Sequence, residues 1–420
     1  MTGKTILIVS QYTKQPAYTG DMRNYDWGRH LISLGNTVYI LCASLVHGTT
    51  IDLIEGDEEY KIVDDPSGIK YVYVKTPMYQ DNGMSRIKNM GSFYFIALKT
   101  MKKLPVPDFI IAKSPNPMAC VAALKYAKKK KIPCVCDIVD LWPESIAVYQ
   151  GVSRSNPLMK LLYQGEKWIY KTCSALIFSD EGDYDYVIEK GWEKAVPKEK
   201  AFYVNIGINI EDNDRNKEEY KLDDPALEEE NTFKVIYSGS VRTVNNLKLL
   251  VDAGKIIQDK GYSDIRILIY GGGDQVDELR QYCKDQSITN VQLYGRMEKK
   301  YVPYILSKAD ICAFCYQSTP LLRFGGSMNK MFDFLASGKP IIANAKMGYS
   351  LIEGRGAGKE LDSNVAEDFA AEIIKFYDMP KSERDKYGTA GRKVAEEYDI
   401  HNLCNQMMVA LEYAEEHCNY

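Results

Sequence analysis

An aspartate on a short apolar helix is the residue whose setting says most about chemistry. Met331, Phe334 and Leu335 recur at helical spacing around Asp333, Gly338 suits a left-handed cap, and Pro340 bars continuation before the apolar Ile341 and Ile342. Such a helix presents an acid to a ligand at the sheet edge of an α/β domain, and an acid among Met331, Phe332, Phe334 and Leu335 is costly to bury without a partner. Lys330, one turn earlier, is either a cation for a ligand or half of a helix-surface ion pair. Upstream, Lys234-Val235-Ile236-Tyr237 leads into Ser238-Gly239-Ser240-Val241-Arg242. A small-residue turn at a helix start exposes backbone N–H groups, and Arg242 adds a fork for phosphate. In the first half, Asp137-Ile138-Val139-Asp140-Leu141-Trp142-Pro143-Glu144-Ser145 ends an apolar strand with acids. Asp140 or Glu144 is placed to orient or deprotonate a hydroxyl, although Glu144 after Pro143 equally suits the first turn of a helix.

These residues need a scaffold of strands and helices. Strands are predicted at 5–10, 37–42, 70–75, 109–112, 134–139, 175–178 and 201–205, then at 234–238, 265–270, 291–294, 310–314 and 340–343. Helical stretches lie between most of them, the pattern of doubly wound parallel sheets that bind ligands at the carboxyl ends of their strands. A chain of 420 residues exceeds one ordinary core. Three segments are expected: 1–207 and 208–390, both Rossmann-like, and a helical 391–420. The four histidines form no cluster for a metal, and neither G-x-S-x-G nor a P-loop is present, which removes the usual hydrolase and kinase readings. Cys312 and Cys315, three apart in a strand, point to opposite faces and are read as core rather than as metal ligands.

Taken in order, the elements resemble the signature of retaining GT-B glycosyltransferases of family four. Lys330-Met331-Phe332-Asp333-Phe334 is similar to the K-l-y-E-y variant of bacterial transferases that build surface polysaccharides, whose acid hydrogen-bonds the donor ribose; here Asp replaces Glu. The turn at Gly239 and Arg242 resembles the first donor-domain loop, which holds the diphosphate, with Lys248 as candidate for its companion lysine. Ile269-Tyr270-Gly271-Gly272-Gly273 resembles the v-G-x-G-p turn, and Asn290 through Arg296 the segment whose Gly295 and Arg296 face the base. In the first half, Asp140-Leu141-Trp142-Pro143-Glu144-Ser145 resembles r-D-l-W-P-e-s, and the loop at Gly20 lies where the family brings donor diphosphate and acceptor together. One feature departs: Gly325 stands where the first acid of Glu-x7-Glu belongs, so the resemblance implies another hold on the transferred sugar, through the backbone of 324–327 or through Arg323 and Lys330.

The resemblance implies a GT-B fold, two Rossmann-like domains facing a central cleft, with the last helix packing back on the first. It implies electrostatic catalysis by Arg242 without a protein nucleophile, without a cofactor, and with metal dispensable. The donor is then a nucleotide sugar, UDP-linked rather than GDP-linked, and the acceptor a glycan or a polyprenyl-diphosphate-linked saccharide. A sugar-nucleotide epimerase of the same fold and a non-catalytic sugar-nucleotide or lipid-binding partner are the rivals, the latter because of Gly325.

Composition bears on the compartment. No window approaches the roughly 18 apolar residues that span a bilayer, the first apolar run is too short for a signal peptide, and ten scattered cysteines suit a reducing cytoplasm. Net charge is −4, yet residues 82–131 carry eleven bases against the single acid Asp108, a local +10. Interleaved Phe93, Tyr94, Phe95, Ile96 and Leu98 make peripheral contact with an anionic membrane surface one expectation for that segment, and solvated helix ends the other. Nucleic acid is not expected, because no binding motif accompanies the charge.

Overall fold

The computed structural model describes residues 2–18, 22–79 and 83–418 and divides into two compact units. Residues 1–205 with 403–420 form the first, and 206–402 the second. The first unit holds strands β1 (Thr5–Val9), β2 (Thr37–Ala43), β3 (Tyr60–Asp64), β4 (Lys70–Val74), β5 (Phe109–Lys113), β6 (Cys134–Ile138), β7 (Ala175–Phe178) and β8 (Ala201–Tyr203). They lie in the order β3-β4-β2-β1-β5-β6-β7-β8, parallel except for β3 against β4. The second unit holds β9 (Phe233–Ser238), β10 (Ile265–Tyr270), β11 (Val291–Gly295), β12 (Ile311–Phe314), β13 (Ile341–Ala343) and β14 (Gly358–Glu360), all parallel in the order β11-β10-β9-β12-β13-β14. Strand order reverses between β1 and β5 and between β9 and β12, and ligands bind such sheets beside those points, at the carboxyl edge.

Apart from the edge strands β3, β8 and β11, the strands are apolar runs buried on both faces, as parallel sheets covered by helices require. Cys312 belongs to the core on one side of β12 and Cys315 to the core on the other. Five helices of the first unit matter below: α1 (Arg23–Ser33), α2 (Met84–Met101), α3 (Pro117–Lys130), α4 (Glu144–Tyr149) and α5 (Pro157–Thr172). α3 and α5 each begin with proline after an asparagine cap, Asn116 accepting from the N–H of Met118 at 3.0 Å and Asn156 from that of Leu158 at 2.9 Å. Helix Asn329–Ala336 stops as expected, at Gly338 with φ +66°.

Between the units the chain passes through Gly207 (φ +67°), just after the division at Asn205. The C-terminal segment is two helices, Lys381–Glu397 and Ile400–Glu416. From Leu403 the last one counts with the first unit, where Tyr413 meets Phe202 edge-on at 5.4 Å. Among the described residues no helix is long and apolar enough to cross a membrane.

Candidate active site

Two glycine turns form the carboxyl edge of the second unit by touching through their backbones. The Gly239 N–H donates to Tyr270 O at 3.0 Å and the Val241 N–H to Gly272 O at 2.9 Å. A Cβ on Gly271 would stand 1.7 Å from the Gly239 carbonyl oxygen, and one on Gly273 1.9 Å from that of Val241. Any other residue at either place separates the turns.

Lys330 reaches this floor from helix Asn329–Ala336: its Cδ is the group a Cβ on Gly239 would meet at 3.3 Å. Its ammonium donates to Cys315 O at 2.7 Å, to Asn245 Oδ1, and at 3.4 Å to the Tyr237 hydroxyl. The rings of Phe314, Tyr237 and Tyr316 surround it at 5.0, 5.2 and 5.7 Å. All these partners are neutral. Desolvation, only partly offset by the nearby Cys315, lowers the ammonium to about 8, so Lys330 is a half-buried cation with no carboxylate bonded to it. Asn245 locks the arrangement by donating to Ser240 O at 2.7 Å and Ser240 Oγ at 2.8 Å.

Arg242, three residues beyond Gly239, is exposed, and its guanidinium has no partner among the described residues. Arg296 is likewise exposed and unpartnered, its Cβ 3.0 Å from where a Cβ on Gly272 would be. It follows Gly295, whose φ of +89° ends β11. Gly239, Gly271, Gly295, Arg242, Arg296 and Lys330 therefore share one edge, rich in positive charge and backbone. Lys248 does not join them: its ammonium bonds Asp252 at 2.8 and 2.9 Å and lies 4.2 Å over the Tyr282 ring. That correction has a simple cause, since an acid four residues on captures a lysine along its own helix.

Asp333 is buried, and its partner is Lys299, from the loop after β11, rather than Lys330. Lys299 is itself exposed, so water or a ligand hydroxyl can replace it. Nor is the Gly325-Gly326 segment slack. A Cβ on Gly326 would meet Met347 Sδ at 2.2 Å, and the Gly348 N–H donates to Leu322 O at 2.8 Å. Arg323 is exposed beside it, bonded to Pro320 O at 2.6 Å.

In the first unit, Gly20 lies outside the described residues. Asp140 is exposed just beyond β6; desolvation by the surrounding protein raises its carboxyl, against the pull of Lys113 and Arg86. Glu144 is otherwise occupied. Arg154 Nε and Nη2 donate to its Oε1 at 2.8 and 2.6 Å, and the Tyr163 hydroxyl and Lys190 to its Oε2 at 2.7 and 2.9 Å. Burial alone would raise this carboxyl, but those donors hold it at about 2. A carboxylate so saturated accepts no proton near neutrality, which corrects its reading as a base. Asp137 is structural too: Arg23 grips it with two bonds, of 3.0 and 2.8 Å, and spends another on Val204 O. Two cations escaped sequence reasoning, Lys299 and the fully buried Lys14, which donates to Gln11 O and Thr13 O at 3.2 Å. Neither lies in a motif or at a telling spacing.

The two parallel-sheet units define the fold as GT-B. A sucrose-phosphate synthase from Thermosynechococcus elongatus superposes with TM-score 0.73 at 15% identity, over 97% of this chain and 98% of its own. HepE from Anabaena, in complex with UDP and glucose, gives 0.68 at 15% over 97% and 99%, and an E. coli structure described as trehalose-6-phosphate bound with UDP-2-fluoro glucose gives 0.70 at 12% over 98% and 99%. At these identities the likeness is one of fold. Residues 219–394, the stretch that contains the cationic edge, match the family Glycosyl transferases group 1. No curated protein matches the chain.

Proposed function

We propose that the chain is a retaining, metal-independent glycosyltransferase of family four. It moves a hexosyl or N-acetylhexosaminyl group from a UDP-sugar to a glycan or lipid-linked saccharide during surface-polysaccharide assembly. The observation that carries this is the triad of Arg242, Arg296 and Lys330, three cations with no bonded carboxylate, beside two glycine turns at the carboxyl edge of the second sheet. A nucleoside diphosphate supplies the matching charge. Uridine is favoured because similar folds were solved with UDP, UDP-glucose and UDP-2-fluoro glucose.

In this reading Asp333 exchanges Lys299 for the donor ribose hydroxyls. The bond from sugar C1 to the β-phosphate oxygen breaks while the triad neutralises the leaving diphosphate, and the acceptor oxygen bonds C1 on the same face. Asp140, its carboxyl already raised, takes the acceptor's proton. With Gly325 in place of the family's first acid, the backbone of 324–327 and Lys330 face the sugar.

Product analysis with a panel of UDP-, GDP- and dTDP-sugars tests this. Transfer from a UDP-sugar, abolished by Asp333→Ala in a protein that still melts cooperatively, is the expected result. Unchanged turnover in Asp333→Ala removes the site assignment. UDP binding without turnover on any acceptor would favour the non-catalytic partner that Gly325 suggests.

A further inference from the structure

Among the described residues, the five most exposed large apolar side chains fall on two helices. They are Met84 (77%), Phe95 (71%) and Ile87 (61%) on α2, and Leu161 (67%) and Leu158 (62%) on α5, with Trp168 (38%) further along α5. Each set forms a stripe. On α2 Met84, Ile87 and Phe95 share one helical face, opposite the buried Asn89, Phe93 and Ala97; on α5 Leu158, Leu161 and Trp168 share one, opposite the buried Met159, Tyr163 and Tyr170. α3 packs against both α2 and α5, so the three helices make one layer on one face of the sheet.

Charge distinguishes this face from an ordinary solvated one. α2 and α3 contain no acid, and the only acid of α5, Glu166, is buried between the hydroxyls of Tyr170 and Tyr186. Exposed lysines flank the apolar stripes: Lys88 on α2, Lys128 to Lys130 on α3, Lys160 and Lys171 on α5. Three other bases contribute less, because Lys99 and Lys103 both bond Glu59 and Lys113 is buried. A second copy of the chain is a poor occupant, since two such faces would set lysines against lysines.

We infer that the α2–α3–α5 face docks on an anionic lipid bilayer, its aliphatic and aromatic side chains entering the headgroup region and its lysines meeting lipid phosphates. In parallel βαβ connections the N-terminal ends of these helices stand at the carboxyl edge of the sheet, the edge that carries Asp140. Docking sets that edge beside the bilayer. The inference rests on the first unit alone and is independent of the donor reading.

Co-sedimentation with phosphatidylglycerol-containing phosphatidylcholine vesicles, against pure phosphatidylcholine, tests it. The full chain should bind the anionic vesicles alone and lose binding as salt rises. Ile87→Glu with Phe95→Glu, and separately Leu161→Glu with Trp168→Glu, should each weaken binding about tenfold or more. Val409→Glu, exposed elsewhere, should not. All are surface changes, so unaltered melting certifies the fold. Failure of the wild-type chain to sediment, or vesicle binding by both double variants equal to wild type, overturns the inference. So does a self-associated chain that these substitutions render monomeric, which would give the face to a second copy.

Discussion

Lys330 and Asp333 lie one helical turn apart and serve different partners. Asp333 was legible in the sequence because its helix, cap and following strand are local. The surroundings of Lys330 were not, since Tyr237, Asn245, Phe314 and Cys315 come from segments far apart in the chain and converge only in the fold. With Lys330 lowered to about 8, UDP affinity should fall as pH rises through 8 and the cation is lost. Lys330→Met should weaken binding by about 1.5–3 kcal/mol near neutrality and flatten that dependence, as calorimetry at several pH values would read. The sign for stability is opposite. The unfolded chain keeps this proton to the ordinary lysine value of 10.5, so the unliganded protein gains stability from Lys330 as pH rises from about 8 to 10.5. The two acids of the first unit also separate. Asp140→Asn should cut transfer by about 100-fold or more while leaving UDP affinity unchanged. Glu144→Gln should instead lower stability by about 1–3 kcal/mol, modest for a buried pair because Arg154 is half exposed to screening water. Because Glu144 sits at about 2, its contribution is full above the ordinary value of 4.5 and lost as pH falls from there toward 2, which acid titrations of the two proteins would compare. Sequence offered Asp140 and Glu144 equally; what divides them is Arg154, Tyr163 and Lys190, which no local motif predicts.

Strands and turns were easier to read than side-chain partners. The twelve predicted strands appear with ends shifted by at most two residues, because buried parallel strands are continuous apolar runs between turn residues. β3 and β14 were missed for the same reason reversed: β3 is an exposed edge strand carrying Lys61 and Asp64, and β14 is only Gly358–Glu360. The glycine turns at Gly239 and Gly271 were legible as turns, whereas their mutual contact was not, since it needs the pairing of β9 with β10. Gly271→Ala should therefore abolish UDP binding and lower the melting temperature, its Cβ colliding with backbone that cannot step aside. Gly91→Ala on α2 has open space around the added methyl and should stabilise by about 0.5–1 kcal/mol, the ordinary helical preference. Thermal melts of the two variants would show opposite shifts.

The fold of the whole chain persists in proteins sharing only 15% of its residues. What survives such divergence is the alternation of buried strands and amphipathic helices, which is why fold class was readable from one sequence while the acceptor was not. The carboxyl edge of each sheet follows from its parallel strand directions, and the ligand-binding point on that edge from where the strand order reverses, beside β1 and beside β9. Net charge says little about such a molecule: −4 overall coexists with an edge of three cations without bonded acids and with a helical layer that exposes no acid. The most direct test of the account is a calorimetric titration of UDP into the wild-type chain and into Arg242→Gln, with no divalent cation added. Binding by the wild type, weakened by about tenfold or more in the variant with unchanged melting, is the predicted result. Equal affinity in the two proteins, or no heat from the wild type, would contradict it.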